Sequence, residues 1–468
     1  MTDLLRRLAA ALGPGGLLTN PADIAPFGVD WRGLYSNAPR AVLRPRDPAS
    51  VAEAVRLCAE AGVPVVPQGG NTSLVAGAIP SRPGAEFVLS LARLNRVRAI
   101  DRAGLSMIVE AGVTLQRAQE AAAEHGALLP LSIGSEGSAQ IGGVLSTNAG
   151  GNNTLRFGNA RDLILGLEVV LPDGRLWNGL RLLRKDNTGY ALKHLFAGAE
   201  GTLGIITAAA LKLYRAPRER RTALCALPGI EAVLDLFARC RDEDESALYA
   251  FEYISGPAMA LNAKHMPNFR LPFAEPAAHY ALVELATTRR AGTLRETLES
   301  VLAGALEHDI IADAAIAESE AQRRDFWAMR EHMTESQKRE GASVKNDVSV
   351  PIASIPTLLT RAETMLTQRY PGARMAAFGH IGDGNIHLNV IQPEGEDPAA
   401  FGARAEALME DVNAIVADLG GSFSAEHGIG MIKRPAFAHW RDATEREAMR
   451  RIKDTLDPRG IMTPGKLF

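Results

Sequence analysis

Val65-Val66-Pro67-Gln68-Gly69-Gly70-Asn71-Thr72-Ser73-Leu74 decides how the rest of this chain is read. A short β-branched run breaks into two glycines and three small polar residues, the pattern of a strand opening into an anion cradle. Adjacent glycines let consecutive backbone N–H groups curl toward one point, and Asn71, Thr72 and Ser73 add donors that satisfy phosphate oxygens without a full positive charge. Alone, Gly-Gly-Asn after a strand is more commonly an ordinary turn. Its surroundings decide.

Upstream, Ala41-Val42-Leu43 reads as a strand, Ser50-Val-Ala-Glu53 as a capping box opening a helix that ends at Gly62, and 63–67 as the returning strand. This β-α-β order puts the Gly-Gly loop at a strand's carboxyl end, where α/β sheets bind ligands. Downstream, 88–91 and 107–113 are expected strands, Thr114 caps a helix to about Gly126, and 165–171 with 175–177 forms a hairpin around Pro172-Asp173-Gly174. Residues 205–214 make the last strand before a linker, 215–221. Two more glycine-rich stretches lie in this half: Gly134 to Gly151, with Ser138, Gly142-Gly143, Thr147-Asn148 and Gly150-Gly151, and Gly198-Ala-Glu200-Gly201-Thr-Leu-Gly204-Ile205-Ile206. Three such loops suggest one long ligand.

The order Pro-Gln-Gly-Gly-Asn-Thr, Ile-Gly-Gly-x-x-x-Thr-Asn-Ala-Gly-Gly, Lys185-Asp-Asn-Thr-Gly-Tyr190 and Gly-x-Glu-Gly-Thr-Leu-Gly-Ile-Ile-Thr resembles the FAD-binding half of the vanillyl-alcohol-oxidase-type (PCMH-type) flavoproteins, and within that FAD-linked oxidoreductase family its D-2-hydroxyglutarate dehydrogenases. The resemblance covers nearly the whole chain. It implies an α+β protein: a PCMH-type FAD domain of two α/β subdomains over 1–215, a substrate or cap domain over 216–425, and a segment, 426–468, returning to the FAD domain. It also implies non-covalent FAD, since Asn71 stands where tethered relatives carry histidine. The cofactor contacts it implies are Pro67, Gln68, Gly69, Gly70, Asn71, Thr72, Ser73, Pro130, Gly134, Ser138, Ile141, Gly142, Gly143, Thr147, Asn148, Gly150, Gly151, Gly158, Glu200, Gly201, Gly204, Ile205 and Ile206. Ser73 and Ala76 depart from the family, where glycines are frequent.

With 468 residues, 46% of them hydrophobic and 22% charged, and a net charge of −3, the chain has core enough for two or three domains and no basic surface for nucleic acid. Cys58, Cys225 and Cys240 form no C-x-x-C, which speaks against disulfides and iron–sulfur clusters and for a cytoplasmic setting. The amino terminus reads as an amphipathic helix, no run approaches membrane-spanning length, and no tandem repeat is evident. The sequence lacks G-x-G-x-x-G, which argues against a nicotinamide-binding domain. Gly460 to Lys466 matches G-x-x-x-x-G-K but is followed by leucine and no helix, a false P-loop.

Beyond the linker, strands near 222–227, 248–254, 280–287 and 310–317 alternate with helices, an order that suggests a ferredoxin-like sheet with helices on one face. A helix over about 318–340 follows. Then comes Phe378-Gly-His380-Ile-Gly-Asp-Gly-Asn-Ile-His387-Leu-Asn389-Val, two strands around a turn formed by residues 382–385. Alternation puts His387 and Asn389 on one face and Ile386, Leu388 and Val390 on the other. Ser424-Ala-Glu426-His427-Gly-Ile-Gly430 adds a carboxylate and another imidazole. Two histidines around a turn are usually structural, but three of the chain's ten lie in these two glycine-flanked segments. Two His and one Glu suit zinc, manganese or iron with a position left open.

The resemblance makes His380, His387 and Glu426 ligands of a divalent metal, with zinc first and manganese or cobalt as alternatives, and His427 the base in the oxidation of a 2-hydroxy acid. It also marks Arg330, Thr334 and Lys345 as holders of a second carboxylate. Arg330 and Thr334 are expected four apart on one helix, sharing a face. Asn389 and His427 complete the substrate set. The expected activity is oxidation of D-2-hydroxyglutarate to 2-oxoglutarate. A D-lactate or glycolate dehydrogenase of the same fold, or a non-catalytic flavin electron-relay subunit, are the rivals. An external acceptor (an electron-transfer flavoprotein, a quinone or a dye) is expected, and a homodimer is left open.

Overall fold

The computed structural model describes residues 2–289 and 292–468. The chain divides into two compact units: Met1–Gly151, Phe157–Ala216 and Glu426–Phe468 form the first, Asn152–Arg156 and Pro217–Ala425 the second.

In the first unit Ala41–Leu43, Phe87–Ser90 and Val65–Gln68 run parallel, with Leu17–Leu18 antiparallel at the edge. Helix Pro48–Ala61 makes the crossover, and its start differs from expectation. Asp47 is the cap, not Ser50: its carboxylate accepts the Ser50 N–H at 2.8 Å, and Ser50 is the third residue of the helix. Asp-Pro wins because proline's missing N–H costs nothing in a first turn and a carboxylate suits a helix amino terminus. Gly62 closes the helix at φ +63, and Thr114 caps Leu115–Glu124, both as expected.

A second, antiparallel sheet orders Val97–Asp101, Ser106–Glu110, Ile205–Lys212, Ile164–Val170 and Leu176–Gly179. Its two central strands bury nearly every residue because both faces are covered. Leu167, Val169, Ala209 and Leu211 join one core, Val170 and Ile205 the core beneath helix Pro48–Ala61. The second glycine-rich stretch, expected as a loop, contains the short helix Ile141–Ser146. A side chain at Gly142 would meet the Ala111 methyl at 2.7 Å, so glycine there lets the helix pack tightly.

The carboxyl-terminal segment adds a rung beside the decisive strand: Val65 donates to the Ile461 carbonyl at 2.8 Å and Thr463 to the Val65 carbonyl at 2.9 Å. Ile461 and Met462 are buried in the same core as Val65. The P-loop look-alike is thus a sheet-edge segment.

The second unit is built on one antiparallel sheet in the order Asp313–Ile316, Glu219–Leu227, His279–Thr287, Leu248–Ser255, Arg374–Gly379, Asn385–Ile391, Ser343–Val344, with Asp347–Ser349 also paired to Asn385–Ile391. Numbered along the chain, its first four strands lie in the order 4-1-3-2, the ferredoxin-like arrangement. Helices cover both faces, not one. Ile230–Asp244, Leu294–Glu307, Ile355–Arg369 and Ala405–Asp418 pack on the side of Phe251, Val283 and Leu388. Gly256–His265, Glu320–Glu331 and Met333–Glu340 cover the side of Leu224, Ile254 and Phe378. Alternation in the strands supplies apolar residues to both, so one-sided cover would have left the second set in water. No described helix is long and apolar enough to cross a membrane.

Candidate active site

At the carboxyl ends of the three parallel strands, Gly69, Gly70 and Asn71 line a cleft of about 250 Å³ with Pro26, Phe27, Arg44 and Ser90. The loop's shape is enforced by contact: a methyl group at Gly70 would lie 1.9 Å from the Ser138 carbonyl oxygen. The first two glycine stretches therefore touch through backbone. Gly69 and Gly143 also approach, and the space where a Gly143 side chain would stand holds no atom within 4 Å. Asn71 is left-handed at φ +53 and donates its amide to the Val29 carbonyl at 2.8 Å. Ser73 Oγ accepts from the N–H groups of Val75 and Gly77. Ala76 sits at φ +54, a conformation that favours glycine.

Some expected cofactor contacts have other partners. The Gln68 side-chain amide donates to the Phe27 and Ala78 carbonyls at 2.9 and 2.8 Å, fastening the loop from behind. Glu200 turns its carboxylate onto the N–H groups of Ile429 and Gly430, both at 2.8 Å. Burial pushes that carboxyl up, opposed by the two N–H groups and by Lys433 and Lys466. Gly201, at φ +72, lies against the Pro67 ring, and Thr463 Oγ1 donates to its carbonyl at 2.9 Å. Open glycine-lined space at the ends of parallel strands fits an extended phosphate-bearing cofactor.

In the second unit, strands Arg374–Gly379 and Asn385–Ile391 pair with Phe378 opposite His387. The turn between them is a single 3-10 turn, Ile381–Asp383, closed by Gly384 at φ +84; Asn385 already belongs to the returning strand. The rings of His380 and His387 lie 5.7 Å apart. His380 Nδ1 meets the Glu252 carboxylate at 2.7 Å, which fixes the orientation of the ring. Burial pushes the Asp383 carboxyl up to about 6, against the pull of His380 and the Asn385 N–H.

Glu252 is one of two residues here that sequence reasoning missed. It stands alone in Leu248–Ser255, a strand buried throughout, and accepts Arg330 Nε at 2.7 Å besides His380. Burial alone would raise its carboxyl, yet His380 and Arg330 together hold it below the usual value. A carboxylate inside an otherwise apolar strand was the available signal, since such a group is buried only when paired. The Arg330 guanidinium also lies over the Phe378 ring, 4.6 Å from its centre.

Thr334 does not share a helix with Arg330. The segment breaks at His332 into Glu320–Glu331 and Met333–Glu340, which leaves Arg330 buried and Thr334 exposed. Asn389 is buried and donates its amide to Gln337 at 2.7 Å. Lys345 is half-buried.

The metal-ligand candidates also change. Asp347, unpredicted, pairs in register with His387, their side chains 3.9 Å apart, and accepts the Asn385 amide at 3.0 Å. Its carbonyl receives the Ala425 N–H at 3.2 Å, so the chain itself delivers Glu426 and His427 beside it. One ligand atom from each of Asp347, His387, Glu426 and His427 lies within 4.8 Å of the others. His380 is not in this group. Two imidazoles and two carboxylates without sulfur fit a divalent ion.

Residues 216–467 match the C-terminal domain of the FAD linked oxidases, and residues 39–179 match an FAD binding domain. The chain is 36% identical over 454 residues to a D-2-hydroxyglutarate dehydrogenase of Xanthomonas citri pv. viticola, covering 97% of this chain and 94% of that protein. It is 36% identical over 456 residues to the mitochondrial D-2-hydroxyglutarate dehydrogenase of Bos taurus, covering 97% and 81%. Among solved structures, p-cresol methylhydroxylase shares the fold, with a TM-score of 0.78 at 16% identity over 99% of this chain and 96% of the other. Fold, cofactor cleft and full-length similarity agree: the chain is an FAD-dependent oxidoreductase and belongs to the family of FAD-linked oxidases that includes the D-2-hydroxyglutarate dehydrogenases.

Proposed function

We propose that this protein oxidises D-2-hydroxyglutarate to 2-oxoglutarate with the help of a divalent metal ion. The observation that carries the reading is the group Asp347, His387, Glu426 and His427, four N and O donors within 4.8 Å in a chain of this family. Bound FAD would supply the hydride acceptor, and a bound metal ion would make the substrate hydroxyl more acidic. The residues do the rest. His387 and Glu426, with Asp347 in place of or beside His380, hold the ion. His427 takes the hydroxyl proton, a role neutral imidazole fills near pH 7. Glu252 fixes the ring of His380 and the guanidinium of Arg330, and the Nη groups of Arg330 with Lys345 meet the second carboxylate of the substrate. A dicarboxylate partner for two cations disfavours lactate and glycolate, which would leave buried charge unmatched.

The test is anaerobic mixing of the purified yellow protein with a panel of D-2-hydroxy acids. Bleaching fastest with D-2-hydroxyglutarate is expected. Preference for D-lactate would move the assignment to that rival, and no bleaching with any acid would leave a passive electron carrier. The external acceptor is read from which of an electron-transfer flavoprotein, a quinone or a dye reoxidises the flavin.

A further inference from the structure

Lys466 is a buried ammonium without a hydrogen-bond partner among the described residues. It is 2% exposed, and its Nζ makes no hydrogen bond to any of the described residues. Leaving such a group unpaired costs far more than a lost neutral hydrogen bond, so a fold keeps one only where something else meets the charge. Two carboxylates act on it through space, Glu86 and Glu200, but both are engaged: Glu86 with Ser81 and Arg82, Glu200 with the N–H groups of Ile429 and Gly430.

The placement of Lys466 is built, not incidental. Thr463, three residues before it, is held at φ +51 with its hydroxyl on the Gly201 carbonyl, and Gly201 rests on Pro67 at the mouth of the cradle. Leu467, just after, donates to the Gly430 carbonyl at 3.2 Å. The residue is thus held on one side by the third glycine stretch and on the other by the Gly430 backbone. The three glycine-rich stretches themselves, 67–73, 134–151 and 200–206, contain no lysine or arginine. They are expected to receive a cofactor that carries negative charge on its pyrophosphate and, once reduced, on its ring.

We propose that Lys466 is the cation that meets the negative charge of bound FAD. This rests on the FAD assignment and adds to it a residue outside every cofactor motif of the sequence. Burial draws the Lys466 ammonium down to about 8 even against the opposing pull of Glu86 and Glu200, so the free protein holds this charge at a cost that an anionic ligand offsets.

The test compares Lys466→Met and Lys466→Arg with wild type by two readouts that need no turnover. One is the Kd of the flavin-stripped protein for FAD, the other the two-electron midpoint potential of the bound flavin. If the ammonium faces the pyrophosphate, Lys466→Met raises the Kd at least tenfold with the potential unchanged. If it faces the reduced ring, the potential falls by about 30 mV or more, a tenfold change in the redox equilibrium constant, with Kd unchanged. Lys466→Arg restores most of either effect. A folded Lys466→Met protein with wild-type Kd and potential overturns the proposal. A wild-type protein that takes up no FAD overturns the cofactor assignment instead, and this inference with it.

Discussion

Arg330 Nε and the Glu252 carboxylate meet at 2.7 Å in the interior of the second unit, and the other oxygen of the same carboxylate takes His380 Nδ1 at 2.7 Å. One buried anion therefore orients both a candidate substrate-binding group and a candidate metal-site imidazole. Glu252→Gln keeps the shape and removes the charge. It should destabilise the fold by about 3–5 kcal/mol in urea titration, because the buried Arg330 guanidinium loses its counter-charge and His380 its carboxylate partner. Metal affinity in a chelator competition should fall about 10–100-fold. A Glu252→Gln protein with wild-type stability and metal affinity would show that the pairing is incidental.

Lys345 carries the cleaner test of substrate choice, since Arg330 cannot be removed without orphaning Glu252. Lys345→Ala should raise KM for D-2-hydroxyglutarate about 30-fold or more, the loss of roughly 2 kcal/mol or more of a desolvated charge interaction, and change D-lactate turnover less than about threefold. Equal losses on both acids would sink the dicarboxylate reading. Arg330→Lys, which keeps the charge near Glu252 but loses the fork, should fall between the two.

Exhaustive chelation should abolish turnover and leave the flavin in place, and zinc, manganese or cobalt should restore it. Asp347→Asn and His387→Ala should each weaken that restoration, whereas His427→Ala should slow flavin reduction by about 10²–10⁴-fold. Full activity in protein shown metal-free by elemental analysis would remove the metal from the mechanism.

Gly70 and Gly143 should separate folding from cofactor binding. Gly70→Ala drives a methyl into the Ser138 carbonyl and should yield protein with little flavin, read from the 450 to 280 nm absorbance ratio. Gly143→Ala meets no atom within 4 Å and replaces a helical glycine, so the flavin-free protein should gain up to about 1 kcal/mol. FAD affinity should nevertheless drop if the cofactor lies over that space. Unchanged affinity would move the cofactor off this helix.

Acid stability should report on Glu340. Burial would raise its carboxyl, but His265, Lys264 and Arg374 draw it down to about 2. A depressed carboxylate contributes stability that is fully present above its ordinary value near 4.5 and is lost as pH falls from there toward 2. Glu340→Gln should therefore flatten the loss of stability over that window and lower stability at neutral pH by about 1–3 kcal/mol. Parallel acid-unfolding curves for the two proteins would count against it.

What was legible in the sequence was local. The strand Ala41–Leu43, the Gly62 stop and the Thr114 cap each depend on a few adjacent residues. The break at His332 had no such signal: neither glycine nor proline marks it, and the helices on either side bury separate sets, Phe326 and Met329 before it, Met333, Ser336 and Gln337 after. Tertiary packing overrode helical periodicity there. Asp347 and Glu252 escaped because a lone carboxylate in a short strand says nothing of its partner until the strand pairing is known. His387 and the Glu426–His427 pair could be singled out as candidates because glycine-flanked histidines stand out without any pairing. The two-sided helical cover was written in the alternation of Glu219–Leu227 and His279–Thr287, but a pattern with apolar residues on both faces does not say which helices answer it.

The rung between Val65 and the 461–463 segment has a consequence for biosynthesis. Arg459 also reaches back to the Ala59 carbonyl across 400 residues of chain. A ribosome delivers the glycine-rich loops early and this sheet neighbour only after the second unit, so the nascent flavin domain waits with one strand edge open while that unit is translated. Closing so long a loop is slow, and an open edge in the meantime invites mispairing. Flavin capture is accordingly an event that follows synthesis of the second unit, and a chain cut just before residue 461 would keep the residues of that unit while leaving the cofactor half without its closing rung.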